Sequence, residues 1–194
     1  QELRHAQFDG LFISACEEMT IWMAKSLPES LPKISNQSKK QMKDVEFVAH
    51  LLLFLEIGAK GHSTTSLDQA FSERDLEWDC KADVEDAFKS TIKIIASLMS
   101  IDVDDKLAKS RFKNQADFYS LFGAISEAIK INSLKSEGVL LRDLVDFAVS
   151  IDDEIIRTSS IEFESYHKAA RSASNDSGPR NIRIDILKTI ISVG

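Results

Sequence analysis

The chain has 194 residues and a mass of 21.7 kDa, enough for one ordinary domain and cramped for two. Hydrophobic residues at 43% and charged residues at 28% exclude a disordered or collagen-like chain, and only 7 Gly and 3 Pro speak against a sandwich or barrel of many short strands. The net charge of −7 repels nucleic acid from the chain as a whole, so the distribution of charge decides what it can meet.

Phe8, Leu11, Phe12, Ala15, Cys16, Met19, Trp22 and Met23 recur every three or four positions and predict a first helix over residues 8–25, stopped by Pro28 and Pro32. A polar loop carrying Lys33, Lys39, Lys40 and Lys43 follows. Residues 45–57 are apolar nearly all round, as expected of a helix at the centre of a bundle, and Gly58 and Gly61 end it. A short helix is expected at 66–71, then an acidic connector at 72–81. Asp83 is placed as the N-cap of a longer helix that keeps its period to Ile101, where the Asp102 to Asp105 cluster breaks it. Asn114 is placed as the cap of the next helix, marked by Phe118, Leu121, Phe122, Ile125 and Ile129. Further helices are expected at 139–156 and 161–170. Residues 172–179 read as the clearest loop, and a final helix carries Ile182, Ile186, Leu187, Ile190 and Ile191 on one side. The expectation is all-α: one domain over residues 1–194, an irregular bundle of about seven or eight helices around one buried central helix. No repeat of solenoid length is present.

Catalytic and metal signatures are thin. Glu2 with His5 and Glu164 with His167 match the Glu-x-x-His pattern of di-iron bundles, with Glu46 and Glu56 as nominees for the remaining ligands; chance pairing on solvated helix faces explains them more simply. His50, four residues after Glu46 in the apolar helix, reads as a structural histidine. No nucleophile elbow, Cys-x-x-Cys or phosphate-binding glycine loop occurs, so no catalytic residue, metal or cofactor is assigned. Cys16 and Cys80 suit reduced thiols in a cytoplasmic protein, and no apolar run approaches the roughly 20 residues needed to cross a bilayer.

Charge is segregated along the chain: residues 68–86 carry a net −6, whereas residues 168–188 carry a net +3 from Lys168, Arg171, Arg180, Arg183 and Lys188 against Asp176 and Asp185. A solvated helix with internal ion pairs is the simpler reading of the basic segment, and a phosphate-facing patch the sharper one. In the sharper reading Arg180 and Arg183 stand near a helix N-terminus, where dipole and guanidinium together attract phosphate or carboxylate. In its physical rival Arg183 turns inward to pair with an acid of residues 152–154.

Several stretches, in order, resemble one family. Gln1 to Phe12 (Gln-Glu-Leu-Arg-His-Ala-Gln-Phe-Asp-Gly-Leu-Phe) looks like the segment that succeeds the ParB-like domain in GmrSD-type proteins, domain-of-unknown-function family 262. Met42 to Leu55, with Lys-Asp-x-Glu-Phe-Val, Phe112 to Phe122, with Asp-Phe-Tyr-x-Leu-Phe, and Ala169 to Ile191, with Asn-Asp and Asn-Ile-Arg-Ile, are similar to its later helices. The resemblance implies a protein of modification-dependent restriction or anti-phage defence. It puts Arg183 on the family's Arg-Ile position, and Arg4 falls in the opening Gln-Glu-x-Arg; with Arg180 these are the candidate ligand-binding residues. The family's Asp-Gly-Gln-Gln-Arg motif, with its whole domain, and its His-Asn-His nuclease domain are missing from these residues. Together with the opening Gln1, this suggests the helical C-terminal part of a longer chain. Its expected partners are the missing N-terminal domain or a partner subunit, and DNA or a nucleotide at the basic segment. The rival expectation is a helical interaction or oligomerisation module with no nucleic-acid role.

Overall fold

The three-to-four-residue apolar period holds along the chain, and the computed structural model, which describes residues 9–61 and 63–193, folds it into eleven α-helices and no β-strand among those residues. They are α1 (Leu11–Ser26), α2 (Asn36–Lys40), α3 (Lys43–Ile57), α4 (Thr64–Glu73), α5 (Lys81–Ile101), α6 (Lys106–Lys109), α7 (Gln115–Lys130), α8 (Glu137–Asp152), α9 (Glu154–Ser159), α10 (Ile161–Arg171) and α11 (Ser177–Ile191), with a 3-10 turn at Arg111–Lys113. The all-α bundle is thus as expected, with the extra helices arising where side-chain caps start a new turn inside a predicted loop or helix. Ser35 accepts from the Ser38 N–H to open α2 within the lysine loop. Asp102, which ends α5, is itself buried and accepts from the N–H groups of Lys106 and Leu107 to open α6. Asp153 accepts from Ile155 and Ile156 N–H, so the predicted 139–156 helix is two helices, α8 and α9.

Two boundaries differ from expectation in ways that matter. Helix α5 begins at Lys81, which puts Asp83 in its first turn rather than at its cap, where a carboxylate still favours the helix dipole. Helix α11 begins at Ser177, so the loop is only residues 172–176 and Pro179 sits in the first turn, where its missing N–H costs no hydrogen bond. The face of α11 that turns inward keeps Leu187 and Ile191 of the predicted stripe but not Ile182, Ile186 and Ile190. Arg180, Arg183, Ile184, Leu187 and Ile191 are buried, whereas Ile182 is exposed and Ile186 and Ile190 are half-buried.

Two helices share the centre. Nine of the fifteen residues of α3 are buried, among them Leu51, Leu52 and Phe54, and in α7 eleven of sixteen are. Gly58, at φ 77°, ends α3 in a conformation that only glycine adopts without strain. Helix α7 approaches both α3 and α11 at Gly123, where an added Cβ would stand 2.9 Å from Ile184 Cδ1 and 3.0 Å from Phe54 Cζ. Aromatic pairs knit these helices: Phe47 with Phe118, Phe54 with Tyr119, and Phe88 of α5 with Phe122. No helix among the described residues is long and apolar enough to cross a membrane.

Candidate functional site

The short polar run Asp117–Ser120 at the start of α7 organises the C-terminal half. Asp117 is almost wholly buried, and its Oδ1 accepts from Arg111 Nε at 3.2 Å and from the Tyr166 hydroxyl at 2.9 Å, while Asn114 Nδ2 reaches Oδ2 at 3.3 Å. Arg111 also donates to Asp152 at 3.0 Å and lies over the Tyr166 ring. One carboxylate on α7 therefore ties the 3-10 turn, α8 and α10 together. Burial, reinforced by the Asp117 charge, pushes the Tyr166 phenol well above its ordinary value, so it stays a protonated donor.

Three residues on, Ser120 Oγ accepts from Arg183 Nε at 2.8 Å. Arg183 has no exposed surface at all. Its other two nitrogens donate to the Ala169 carbonyl in the last turn of α10 and, at 2.9 Å, to the Ser174 carbonyl in the following loop. The cation thus satisfies carbonyls at the negative end of the α10 dipole. Arg183 does turn inward, but the partners it finds are neutral, and Asp152 is engaged by Arg111 while Asp153 caps α9. One turn earlier Arg180, 3% exposed, donates to the Lys60 carbonyl after α3 and lies 4.1 Å from the centroid of the Tyr119 ring. Burial lowers the pKa of both guanidinium groups and raises that of Tyr119.

Against these arginines lies a cavity of about 120 Å³. Helix α3 lines it with Lys43, Glu46, Phe47 and His50, α7 with Gln115, Ala116 and Tyr119, and the C-terminal segment with Asn175, Arg180 and Arg183. His50 is half-buried on this wall, whereas its neighbours Leu51 and Leu52 face the core. Of the residues singled out in the sequence, the structure therefore brings Arg180, Arg183, His50 and the metal nominee Glu46 to one place, and Arg4 lies outside the described residues, as do Glu2 and His5. The polar partners Asp117, Tyr119, Ser120 and Asn175 were given no role in a site from the sequence, although all four fall in stretches quoted for the resemblance. Only the fold reveals that Asp117 and Tyr119 face the C-terminal arginines.

The other metal nominees are committed elsewhere. Glu164 pairs with Arg157 and Lys168, and Glu56 with Arg74. Among the described residues no three His, Cys, Asp or Glu side chains gather to hold a metal ion, and Cys16 and Cys80 are free thiols. No protein-family model, curated protein or solved structure matches the chain.

Proposed function

We propose that these residues are the helical coupling scaffold of a GmrSD-type restriction or anti-phage defence protein, a cytoplasmic unit that packs on a domain acting on nucleotide or DNA. The observation that carries this reading is convergence. Three of the stretches that resemble the family, residues 42–55, 112–122 and 169–191, come from distant parts of the chain, yet they meet at the contacts of Phe47 with Phe118, Arg180 with Tyr119 and Arg183 with Ser120. A shared sequence pattern is expected where helices must fit one another and one common site. The reading is tested on the open reading frame upstream of the Gln1 codon. A strand-rich region with Asp-Gly-Gln-Gln-Arg, in a product that hydrolyses nucleoside triphosphate while the 194-residue chain does not, supports it. A frame without such a region overturns it, and so does steady ATP or GTP hydrolysis by the purified chain that a substitution within it abolishes.

A second reading, an interaction or oligomerisation module with no nucleic-acid role, is favoured by one observation. Val149, Ile155, Ile156 and Ile161, at the junctions of α8, α9 and α10, are all exposed, Ile155 and Ile161 by more than four-fifths. Concentration-dependent sedimentation of the chain, abolished in Ile155→Lys with Ile161→Lys, would favour that module over the scaffold.

A further inference from the structure

Four arginines are buried among the described residues, and they fall into two kinds. Arg74 and Arg111 each meet carboxylates, Glu56 and Glu73 for the first and Asp117 and Asp152 for the second. Arg180 and Arg183 meet backbone carbonyls, a serine hydroxyl and an aromatic face, and among the described residues neither has a carboxylate within ion-pair distance. Asp176 and Asp117 act on them only from beyond that distance, so the cost of taking each guanidinium out of water is met by dipoles and distant charge, which repay only part of it. Both arginines line the same cavity, to which Lys43 adds a third cation and Glu46 the single carboxylate. His50 aside, the walls carry a formal +2.

We infer that the cavity between α3, α7 and α11 is a binding site for a phosphate monoester, a terminal phosphoryl group held by Lys43 and Arg180 with Arg183 behind them. Three features select that chemistry. A phosphate monoester carries about −1.5 to −2 at neutral pH, which matches the excess charge of the walls. A cavity of about 120 Å³ suits a group of five heavy atoms, given that one of about 150 Å³ accepts benzene. The arginines lie too deep, at 3% and 0% exposed, for the backbone of a nucleic-acid duplex to reach, whereas a terminal phosphoryl on a small molecule can enter between Lys43, Gln115 and Asn175. Gln115 and Asn175 add neutral donors for its oxygens. The inference rests on this cavity and not on the family reading, and it can fail or stand separately.

The test is thermal unfolding of the purified chain with inorganic phosphate, ionic strength being held constant with sodium chloride. Phosphate at several times its Kd is expected to raise Tm by about 2–4 °C and to go on raising it with the logarithm of its concentration, and diethyl phosphate, which has no terminal phosphoryl, is expected to leave it unchanged. Lys43→Gln, at an exposed position that the fold does not need, is expected to weaken phosphate binding by about threefold to tenfold. AMP in place of phosphate distinguishes the source. Tighter binding than phosphate assigns the phosphoryl to a nucleotide, and equal or weaker binding assigns it to free phosphate or another small ester. A Tm that phosphate moves no more than chloride overturns the inference, as does diethyl phosphate that acts like phosphate, or an affinity that Lys43→Gln leaves unchanged.

Discussion

Buried arginines stand at two places along α3, and they are held in opposite ways. At the C-terminal end Arg74 grips Glu56 with two nitrogens, at 2.8 and 2.9 Å, while Trp78 Nε1 adds a third donor at 3.2 Å and the guanidinium lies over Phe12. Burial opposes ionisation of Glu56, but the hydrogen bonds and charge of Arg74 outweigh it and hold the carboxyl below its usual value. Glu73, at 3.5 Å, gives the same guanidinium a second carboxylate, and the Ala70 carbonyl accepts from it at 2.9 Å. Near the N-terminal end, Arg180 and Arg183 face Lys43 and His50 across a cavity, their charge answered by carbonyls and a hydroxyl. An arginine can thus be buried to hold a fold together, or buried so that part of its charge remains for something that enters. The difference lies in whether a carboxylate comes with it.

The largest expected effect breaks the second site. Arg183→Ala strands Ser120 and the carbonyls of Ala169 and Ser174, loosening α11 from both α7 and α10, and is expected to cost about 3–5 kcal/mol in urea unfolding. A loss under about 1 kcal/mol would show that the three-way tie is not what holds α11. Next, Gly123→Ala pushes a methyl group between Phe54 and Ile184 at the crossing that joins the regions, and overpacking of this kind costs about 1–3 kcal/mol. Unchanged stability would mean that α3 and α11 can part there freely.

A smaller effect sharpens the contrast through pH. Because the folded-state pKa of Glu56 lies below its unfolded value of 4.5, its ionised form stabilises the fold above that pH, and the contribution is lost as pH falls through the folded value. Arg74→Met removes the charge that holds the pKa down, so burial prevails and the folded form takes the proton first; the variant is less stable at neutral pH, and the stability that the native protein loses on acidification through the carboxylate range is expected to shrink or reverse. Urea unfolding of the two proteins by circular dichroism from neutral to acid pH checks this, and losses of the same size would contradict it. The smallest effect is at His167, whose pKa is lowered by burial and by Arg157, Arg111 and Arg171. Its unfolded form takes the proton first, so stability declines as pH falls below about 6.5, a decline that His167→Gln is expected to flatten.

Much of this fold was legible because helices advertise themselves by period. Helices α1, α3, α5, α7, α10 and α11 lie close to where spacing placed them, since each buries one stripe or, in α3, nearly every face. The short helices α2 and α6 were not legible, because a single serine or aspartate cap inside a polar run decides them. The acidic connector hid a buried arginine and tryptophan for a related reason: Arg74 and Trp78 are accommodated by Glu56, some 20 residues away. On α11 two stripes competed. Ile182, Ile186 and Ile190 share one face, and Arg180, Arg183, Leu187 and Ile191 another; hydrophobicity alone groups Leu187 and Ile191 with the isoleucines and leaves the arginines out. The arginines win because their acceptors, Lys60 and Ser120, stand 120 and 63 residues away, which no local pattern can show. The candidate site was half legible: Arg180, Arg183 and His50 drew notice as charges and a histidine in unusual places, but their assembly around one cavity depends on the tertiary fold.

Arg183 is held by three neutral partners in three directions, whereas Arg74 is held chiefly by the Glu56 carboxylate, with Glu73 and the Ala70 carbonyl beside it. Equilibrium unfolding of Arg183→Lys beside Arg74→Lys tests it most directly. A lysine keeps the charge, so at Arg74 it can still pair with Glu56 and a loss of about 1 kcal/mol is predicted; at Arg183 a single ammonium cannot span Ser120, Ala169 and Ser174, and a loss of about 2–3 kcal/mol is predicted. Equal losses, or a larger loss at Arg74, would contradict the account.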